Sequence, residues 1–220
     1  MARLLFEKTG NAVWVSHLDL MRLFQRAFKR AGLPLKHTQG FNPRPSVSIA
    51  LPLSVGVESG CELLDFDLDG MAITDYEALC RDLNAALIEG VRVLQAYEAG
   101  RKLRELSLLA CEVTLEYDAG IAPGTVEAIS ALFLRETLPV TKKSKNGPVE
   151  QDIIPLIKKL SVSAVDGCTV KINALICCQN PSMNPMQLAQ AVERYLPDRR
   201  PDFSKCRRVE LYDAEQKIFR

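Results

Sequence analysis

The chain lacks the features that membrane-spanning and secreted proteins require. Its 220 residues open with MARLLFEKTG, which has no long apolar core of the kind found in a secretory signal. The longest apolar stretches, at residues 47–57 and 172–178, are too short and too interrupted to span a bilayer. We therefore expect a cytoplasmic protein with no membrane association.

Metal-binding patterns are also missing from the sequence. The seven cysteines include no CxxC pair, and the only histidines are His17 and His37. Zinc and iron–sulfur sites need cysteines or histidines in paired or clustered spacing. Most of these cysteines lie inside apolar segments, which is typical of small buried residues in a reducing compartment. The sequence thus predicts no metal site and no cofactor.

The composition is that of an ordinary globular protein, with 47% hydrophobic and 25% charged residues. In the first hundred residues, alternating or apolar runs predict strands and helical spacing predicts helices, in the order βαββαβ. Thr74 is predicted to cap the second helix. The predicted strands are 2–8, 47–55, 62–68 and 91–96, and the predicted helices are 16–31 and 75–88.

A similar order of strands and helices follows the charged linker at residues 101–105. Residues 139–165 fit it least well, because residues 142–148 resemble an exposed hairpin tip. The sequence therefore predicts an α+β fold of two ferredoxin-like (βαββαβ) halves with mostly antiparallel sheets, residues 1–100 and 101–220. In the second half the predicted strands are 111–117, 169–178 and 207–212, and the predicted helices are 125–135 and 185–195.

Positive charge is concentrated on the first predicted helix and the loop after it. The arginines at 22, 26 and 30 follow i, i+4, i+8 spacing and form one row, which Lys29 broadens. Such a row of like charges is mildly unfavourable unless an anion neutralises it. Residues 16–46 hold six basic side chains against Asp19 alone: Arg22, Arg26, Lys29, Arg30, Lys36 and Arg44.

Three explanations of this charge stay open. Residues 47–89 hold nine acidic side chains against Arg81 alone, so the row could be compensated within the chain. It could also be a plain solvated face, or it could bind an anionic ligand or nucleic acid. Two further basic clusters favour a ligand slightly: Lys142, Lys143 and Lys145, and Arg199, Arg200, Lys205, Arg207 and Arg208.

The segment Ser16-His17-Leu18-Asp19 contains the residue types of a catalytic triad but not its arrangement. A triad places the imidazole between the nucleophile and the carboxylate, usually from separate segments, whereas these residues share one helical turn. Ser16 and Asp19 instead fit a helix cap. His17 could pack or cap, or act as an acid–base or anion-binding group.

The loop at residues 38–45 is predicted to be stiff. Pro43 and Pro45 fix their own backbone and restrict the residue before each of them, Asn42 and Arg44. A stiff loop would present Phe41, Asn42 and Arg44 to a base or a phosphate with little entropy left to lose. The alternative is a rigid connector whose Phe41 fills the core.

These segments resemble the radical-SAM-linked protein family (DUF2344). The resemblance lies in SHLDLMR at residues 16–22, GFNPRP at 40–45 and LPLSVGVES at 51–59. Arg44 and Ser46 depart from the histidine and lysine of the family pattern, so no role of that histidine carries over. The resemblance implies association with a radical SAM protein. Because the chain has no CxxxCxxC motif, any radical chemistry would belong to that partner.

We therefore expect a non-catalytic accessory or substrate-presenting protein. It would bind RNA, or another anionic partner, through the basic helix and the stiff loop. One alternative is a metal-independent RNA-processing enzyme, in which His17 is the acid or base and Lys36 or Arg44 stabilises charge. The other is a protein-interaction module that does not bind nucleic acid.

Overall fold

The computed structural model describes residues 1–144 and 147–220, with only the backbone described at residues 143 and 144. The described residues form an α+β fold with four α-helices, and the strands within each unit pair antiparallel. They divide into two compact units, residues 1–103 with Arg220 and residues 104–219. In this part of the chain, no helix is both long enough and apolar enough to cross a bilayer.

The first unit contains four strands and two helices in the predicted βαββαβ order. Strand β1 lies between β4 and β3, and β2 pairs with β3. The helices cover a core in which the ring centroids of Phe6 and Phe24 lie 4.7 Å apart, and those of Phe28 and Phe66 4.8 Å apart. The elements are β1 (Ala2–Lys8), α1 (His17–Arg30), β2 (Val47–Ile49), β3 (Val57–Phe66), α2 (Tyr76–Ala86) and β4 (Val91–Glu98).

Helix α1 begins and ends where the sequence predicts it. Its buried stripe includes Leu20, Phe24 and Phe28 at helical spacing. After the helix, Gly32 adopts a φ of +68°, and the Leu33 N–H donates to the Phe28 carbonyl at 2.9 Å. This is the Schellman arrangement that closes many helices, and it directs the chain into the following loop.

Several details of the first unit differ from the predictions. Strand β3 spans Val57–Phe66 instead of residues 62–68. Strand β2 ends at Ile49 instead of residue 55, because Leu51 has a φ of +48° and Pro52 has no N–H to donate. Helix α2 is capped by Asp75 instead of Thr74, and the Asp75 carboxylate accepts the Ala78 N–H at 2.8 Å.

The second unit repeats the pairing order of the first and adds a hairpin. Strand β5 lies between β10 and β9, β8 pairs with β9, and β6 pairs with β7. The exposed hairpin tip was predicted at residues 142–148, of which residues 145 and 146 lie outside the described residues. The elements are β5 (Leu108–Glu116), α3 (Thr125–Leu132), β6 (Pro139–Ser144), β7 (Gly147–Asp152), β8 (Ile157–Ala164), β9 (Thr169–Cys177), α4 (Met186–Tyr195) and β10 (Phe203–Tyr212).

Because of its buried thiols, the second unit is expected to lose unfolding free energy as the pH rises into the alkaline range. Burial raises the pKa of Cys178 and of Cys206 from 9.0 to about 12, and it also raises the pKa of Cys111. A pKa that is raised by folding gives stability that is complete below the unfolded value and is lost as pH rises towards the folded value. We therefore expect each thiol to remove about 1.4 kcal/mol from the unfolding free energy between pH 8 and pH 10.

Urea unfolding at pH 8 and pH 10 measures this loss. Cys206→Ala should lose less stability than the wild type over this interval, by about 1.4 kcal/mol. Cys168→Ala is the matched control, because Cys168 is exposed. Equal losses in the wild type and in Cys206→Ala would contradict the prediction.

Candidate anion-binding surface of the first unit

The exposed face of α1 carries four basic side chains. Arg22, Arg26, Lys29 and Arg30 are all exposed. Arg22 Nη1 lies 3.0 Å from Asp19 Oδ1, and Arg30 Nη1 donates to the Ala86 carbonyl in the last turn of α2 at 3.2 Å. Within the part of the chain that the structure describes, Arg26 and Lys29 have no ion-pair or hydrogen-bond partner. Their charge is therefore available to a ligand.

The acidic segment at residues 47–89 engages other partners. Asp65 binds Arg3 at 2.6 Å, Asp67 lies 3.1 Å from the N-terminal amine, and Asp75 caps α2. Among residues 1–144 and 147–220, no ion pair joins this segment to the basic row of α1. Direct contact with these carboxylates thus does not neutralise the row.

A shallow groove of about 360 Å³ runs beside the basic row. Arg22 and Arg26 supply positive charge along the groove, and Asp19 lines it at the N-terminal end of α1. Apolar side chains complete the lining, so the groove suits an anion that also has an apolar part. Its lining consists of Val15, Asp19, Arg22, Leu23, Arg26 and Ile88.

Ser16 and Asp19 form a cap at the start of α1. The Asp19 N–H donates to Ser16 Oγ at 3.2 Å, and the Ser16 hydroxyl donates to Asp19 Oδ2 at 2.7 Å. The Ser16 hydrogen bond, and after it the Arg22 guanidinium, hold the pKa of Asp19 below its usual value. Because serine and aspartate bond each other directly, His17 does not lie between them as it would in a triad.

His17 is partly buried at the first residue of α1. Its Nδ1 atom is shielded from solvent and has no hydrogen-bond partner among the described residues.

Loss of the cap should destabilise the protein. We expect Ser16→Ala to lower the unfolding free energy by about 1 kcal/mol, because the Asp19 N–H then loses its acceptor. Urea titration measures this change. Ser163→Ala is the matched control at an exposed strand position, and it should change the unfolding free energy by less than about 0.5 kcal/mol. A cap variant no less stable than the control would contradict the prediction.

The loop after α1 is closed at its neck by hydrogen bonds. The Ser46 N–H donates to the Lys36 carbonyl at 2.7 Å, and the Thr38 N–H donates to the Arg44 carbonyl at 2.8 Å. The Arg44 N–H returns a bond to Thr38 Oγ1 at 3.0 Å. These bonds define a narrow loop that spans residues 36–46.

Phe41 is the most exposed large hydrophobic side chain described, with a relative accessibility of 107%. Lys36, Asn42 and Arg44 are exposed beside it in the same loop. The alternative in which Phe41 fills the core is therefore wrong. The loop instead presents an aromatic ring and two cations to solvent.

The residues predicted for an RNA-cleaving site, His17 with Lys36 or Arg44, come before and after the body of helix α1 in the chain. Helix α1 has 14 residues and is therefore about 21 Å long. His17 is its first residue, whereas Lys36 and Arg44 belong to the loop that follows its last turn. An RNA-cleaving site would need these cations beside His17, and among the described residues no hydrogen bond links His17 to Lys36 or Arg44.

The basic clusters of the second unit mostly have structural partners. Lys142 Nζ donates to the Ser182 carbonyl at 2.9 Å, and Lys205 Nζ lies 2.6 Å from Glu116 Oε1. Arg199 donates to the Pro123 carbonyl at 2.9 Å, and Arg208 is buried. The Lys143 side chain and Lys145 lie outside the described residues.

Sequence reasoning overlooked Trp14, the only tryptophan in the chain. It ends the 3-10 turn Gly10–Trp14, and 66% of its surface is exposed. Its ring covers Gly56, where a Cβ would lie 3.4 Å from the ring. The available signal was its position two residues before the Ser16 cap, at the start of the most basic helix.

The exposed side chains of this surface are mainly cations and aromatic rings. In the described part of the chain, no cluster of three or more histidine, cysteine, aspartate or glutamate residues is placed to hold a metal ion. Exposed cations and aromatic rings in one unit are the groups that bind phosphates and bases.

Comparisons with known proteins place the chain in a family without assigning an activity. No curated protein matches the chain. A crystal structure described as that of an unknown protein from Galdieria sulphuraria matches 97% of both chains, with 11% sequence identity and a TM-score of 0.27. A family profile described as "Uncharacterized protein conserved in bacteria (DUF2344)" matches residues 2–185. The match covers most of the 220 residues, so the chain belongs to the DUF2344 family.

Proposed function

We propose that this protein is a non-catalytic accessory or substrate-presenting protein that binds RNA. The contact is made by the basic surface, which we define as Arg22, Arg26, Lys29, Lys36, Phe41, Asn42 and Arg44. One observation carries the proposal: a loop closed by hydrogen bonds holds Phe41 fully exposed between the cations Lys36 and Arg44.

The chemistry of these groups fits RNA better than a small anion. Guanidinium and ammonium groups attract phosphates, and an exposed ring offers a stacking platform for a base. Ordering of the loop before binding reduces the entropy lost in the complex. Asn42 adds an amide that can donate to and accept from base edges. A free phosphate would use the cations but would leave Phe41 without a role.

A radical SAM protein is the proposed partner, in the cytoplasm. The proposal rests on the resemblance to radical-SAM-linked proteins, whose motifs at residues 16–22 and 40–45 lie on α1 and in the loop. We further propose that the two units are ferredoxin-like halves. Their repeated strand order, β4-β1-β3-β2 and β10-β5-β9-β8, supports this.

Affinity capture of the tagged full chain from its native cells, with and without RNase, tests both parts of the proposal. We expect RNA to be recovered without RNase, and a radical SAM protein to be retained after RNase treatment. Binding of the purified chain to labelled single-stranded RNA should weaken steeply as salt is raised. If no RNA bound at low salt, the RNA proposal would be wrong and the protein-interaction alternative would be favoured.

A further inference from the structure

We infer that single-stranded RNA follows α1, with one base stacked on Trp14 and another on Phe41. This inference rests on the proposed function and specifies its ligand. Trp14 precedes α1 and Phe41 follows it in the chain, and both rings are exposed. The cations of α1 lie between these two aromatic residues in the sequence.

Trp14 is held in place while its side chain stays accessible. Gly56 has a φ of +84°, which favours glycine, and this glycine leaves room for the ring. The Gly56 N–H donates to the Val13 carbonyl at 2.9 Å, which ties the turn beneath Trp14 to the start of β3. A large, exposed aromatic side chain whose backbone is held in place can serve as a stacking platform for a nucleobase.

The cationic side chains of α1 would contact the phosphates of the nucleotides between the two stacked bases. Leu18, Arg22 and Lys29 are spaced i, i+4 and i+11, and therefore share one side of the helix, with Arg26 one turn after Arg22. The 14 residues of α1 extend about 21 Å, which corresponds to about six nucleotides at 3.4 Å per nucleotide of a stacked strand.

The two exposed rings favour a single strand over a duplex. In a duplex the bases are paired and stacked on one another, so their faces are closed to a protein side chain. A single strand can turn its bases outwards and stack them on aromatic rings. Stacking tolerates any base, so the surface is expected to prefer unpaired RNA without strong sequence selection.

The single tryptophan makes the inference directly measurable. Oligouridylates of 3, 6, 9 and 12 nucleotides would be titrated into the full-length protein, with tryptophan fluorescence and the polarisation of end-labelled RNA followed in parallel. We expect the longer RNAs to quench Trp14, with the same midpoint as the polarisation change. Affinity should rise from 3 to about 6–9 nucleotides and then level off. A duplex of equal length should quench little.

Variants separate the two stacking positions. Phe41→Ala should weaken binding about 5- to 150-fold and leave quenching at saturation intact. Trp14→Leu should weaken binding by a similar factor in polarisation, whereas Trp14→Phe, which keeps a ring, should retain most of the affinity. Phe203→Ala is the matched control, because Phe203 is an exposed phenylalanine of the second unit. Circular dichroism confirms that each variant folds.

The outcomes distinguish the inference from the proposed function. RNA binding without quenching, and with equal affinity in Trp14→Leu and the wild type, would overturn the inference but leave the proposed function standing. Absence of binding to any RNA would overturn both. Affinity that is lost in Trp14→Leu but retained in Trp14→Phe, together with quenching of the wild type, supports the inference.

Discussion

Replacement of four cations of the basic surface by glutamine should abolish tight RNA binding, because none of the four forms an ion pair within residues 1–144 and 147–220. The variant combines Arg26→Gln, Lys29→Gln, Lys36→Gln and Arg44→Gln, and we expect affinity to fall on the order of 100-fold or more at low salt. Each phosphate contact to a single strand contributes about 0.7 to the slope of log affinity against log salt. The slope should therefore become shallower by about 3.

A second variant with the same change in net charge controls for long-range attraction. Arg81, Arg92, Arg104 and Arg135 are exposed arginines outside the basic surface, and glutamine at all four removes the same charge. We expect this control to bind RNA within a few-fold of the wild type, with an almost unchanged salt slope. Equal loss in both variants would mean that overall charge, and not the basic surface, attracts RNA.

These cations also illustrate how far the sequence predicts the site. The spacing of the arginines and the caps at Ser16 and Gly32 were sufficient to predict α1 and its exposed row, because both depend on local backbone chemistry. The exposure of Phe41 could not be predicted in this way. A phenylalanine in a stiff loop can fill a core or face solvent, and only its tertiary neighbours decide which.

Strand β8 shows a second limit. The segment carries Lys158 and Lys159 in succession, so its polar and apolar residues do not alternate regularly. The pairing register with β9 shifts between Ile157 and Lys159, so the break in the sequence pattern coincides with an irregularity in the strand pairing. A strand whose pattern is broken by a register shift is difficult to recognise before its partner is known.

The second large effect concerns the buried ion pair that joins β1 to β3. Arg3 is fully buried, and its Nε and Nη2 atoms lie 2.6 and 3.0 Å from the two carboxylate oxygens of Asp65. Arg3 Nη2 also donates to the Arg101 carbonyl at 2.8 Å. We expect Asp65→Ala to lower the unfolding free energy by about 3–5 kcal/mol, because it leaves a guanidinium buried without its counter-charge.

Unfolding in guanidinium chloride, monitored by Trp14 fluorescence, measures this loss of stability, since the only tryptophan lies in the first unit. The double variant Arg3→Met with Asp65→Leu should regain most of the lost stability, because it buries neither charge. Glu215→Ala is the matched control: Lys217 and Glu215 form a 2.7 Å pair in which both side chains are 72% exposed, so its loss should cost less than about 1 kcal/mol.

The position of this pair links stability to the basic surface. Asp65 lies two residues before Asp67, whose carbonyl accepts the Lys36 N–H at 2.9 Å at the neck of the loop. In Asp65→Ala we therefore expect amide exchange at Lys36 and Ser46 to rise more than exchange in α4, which belongs to the second unit. If the two regions lost protection equally, the buried pair would stabilise the chain as a whole and would have no specific role in holding the loop.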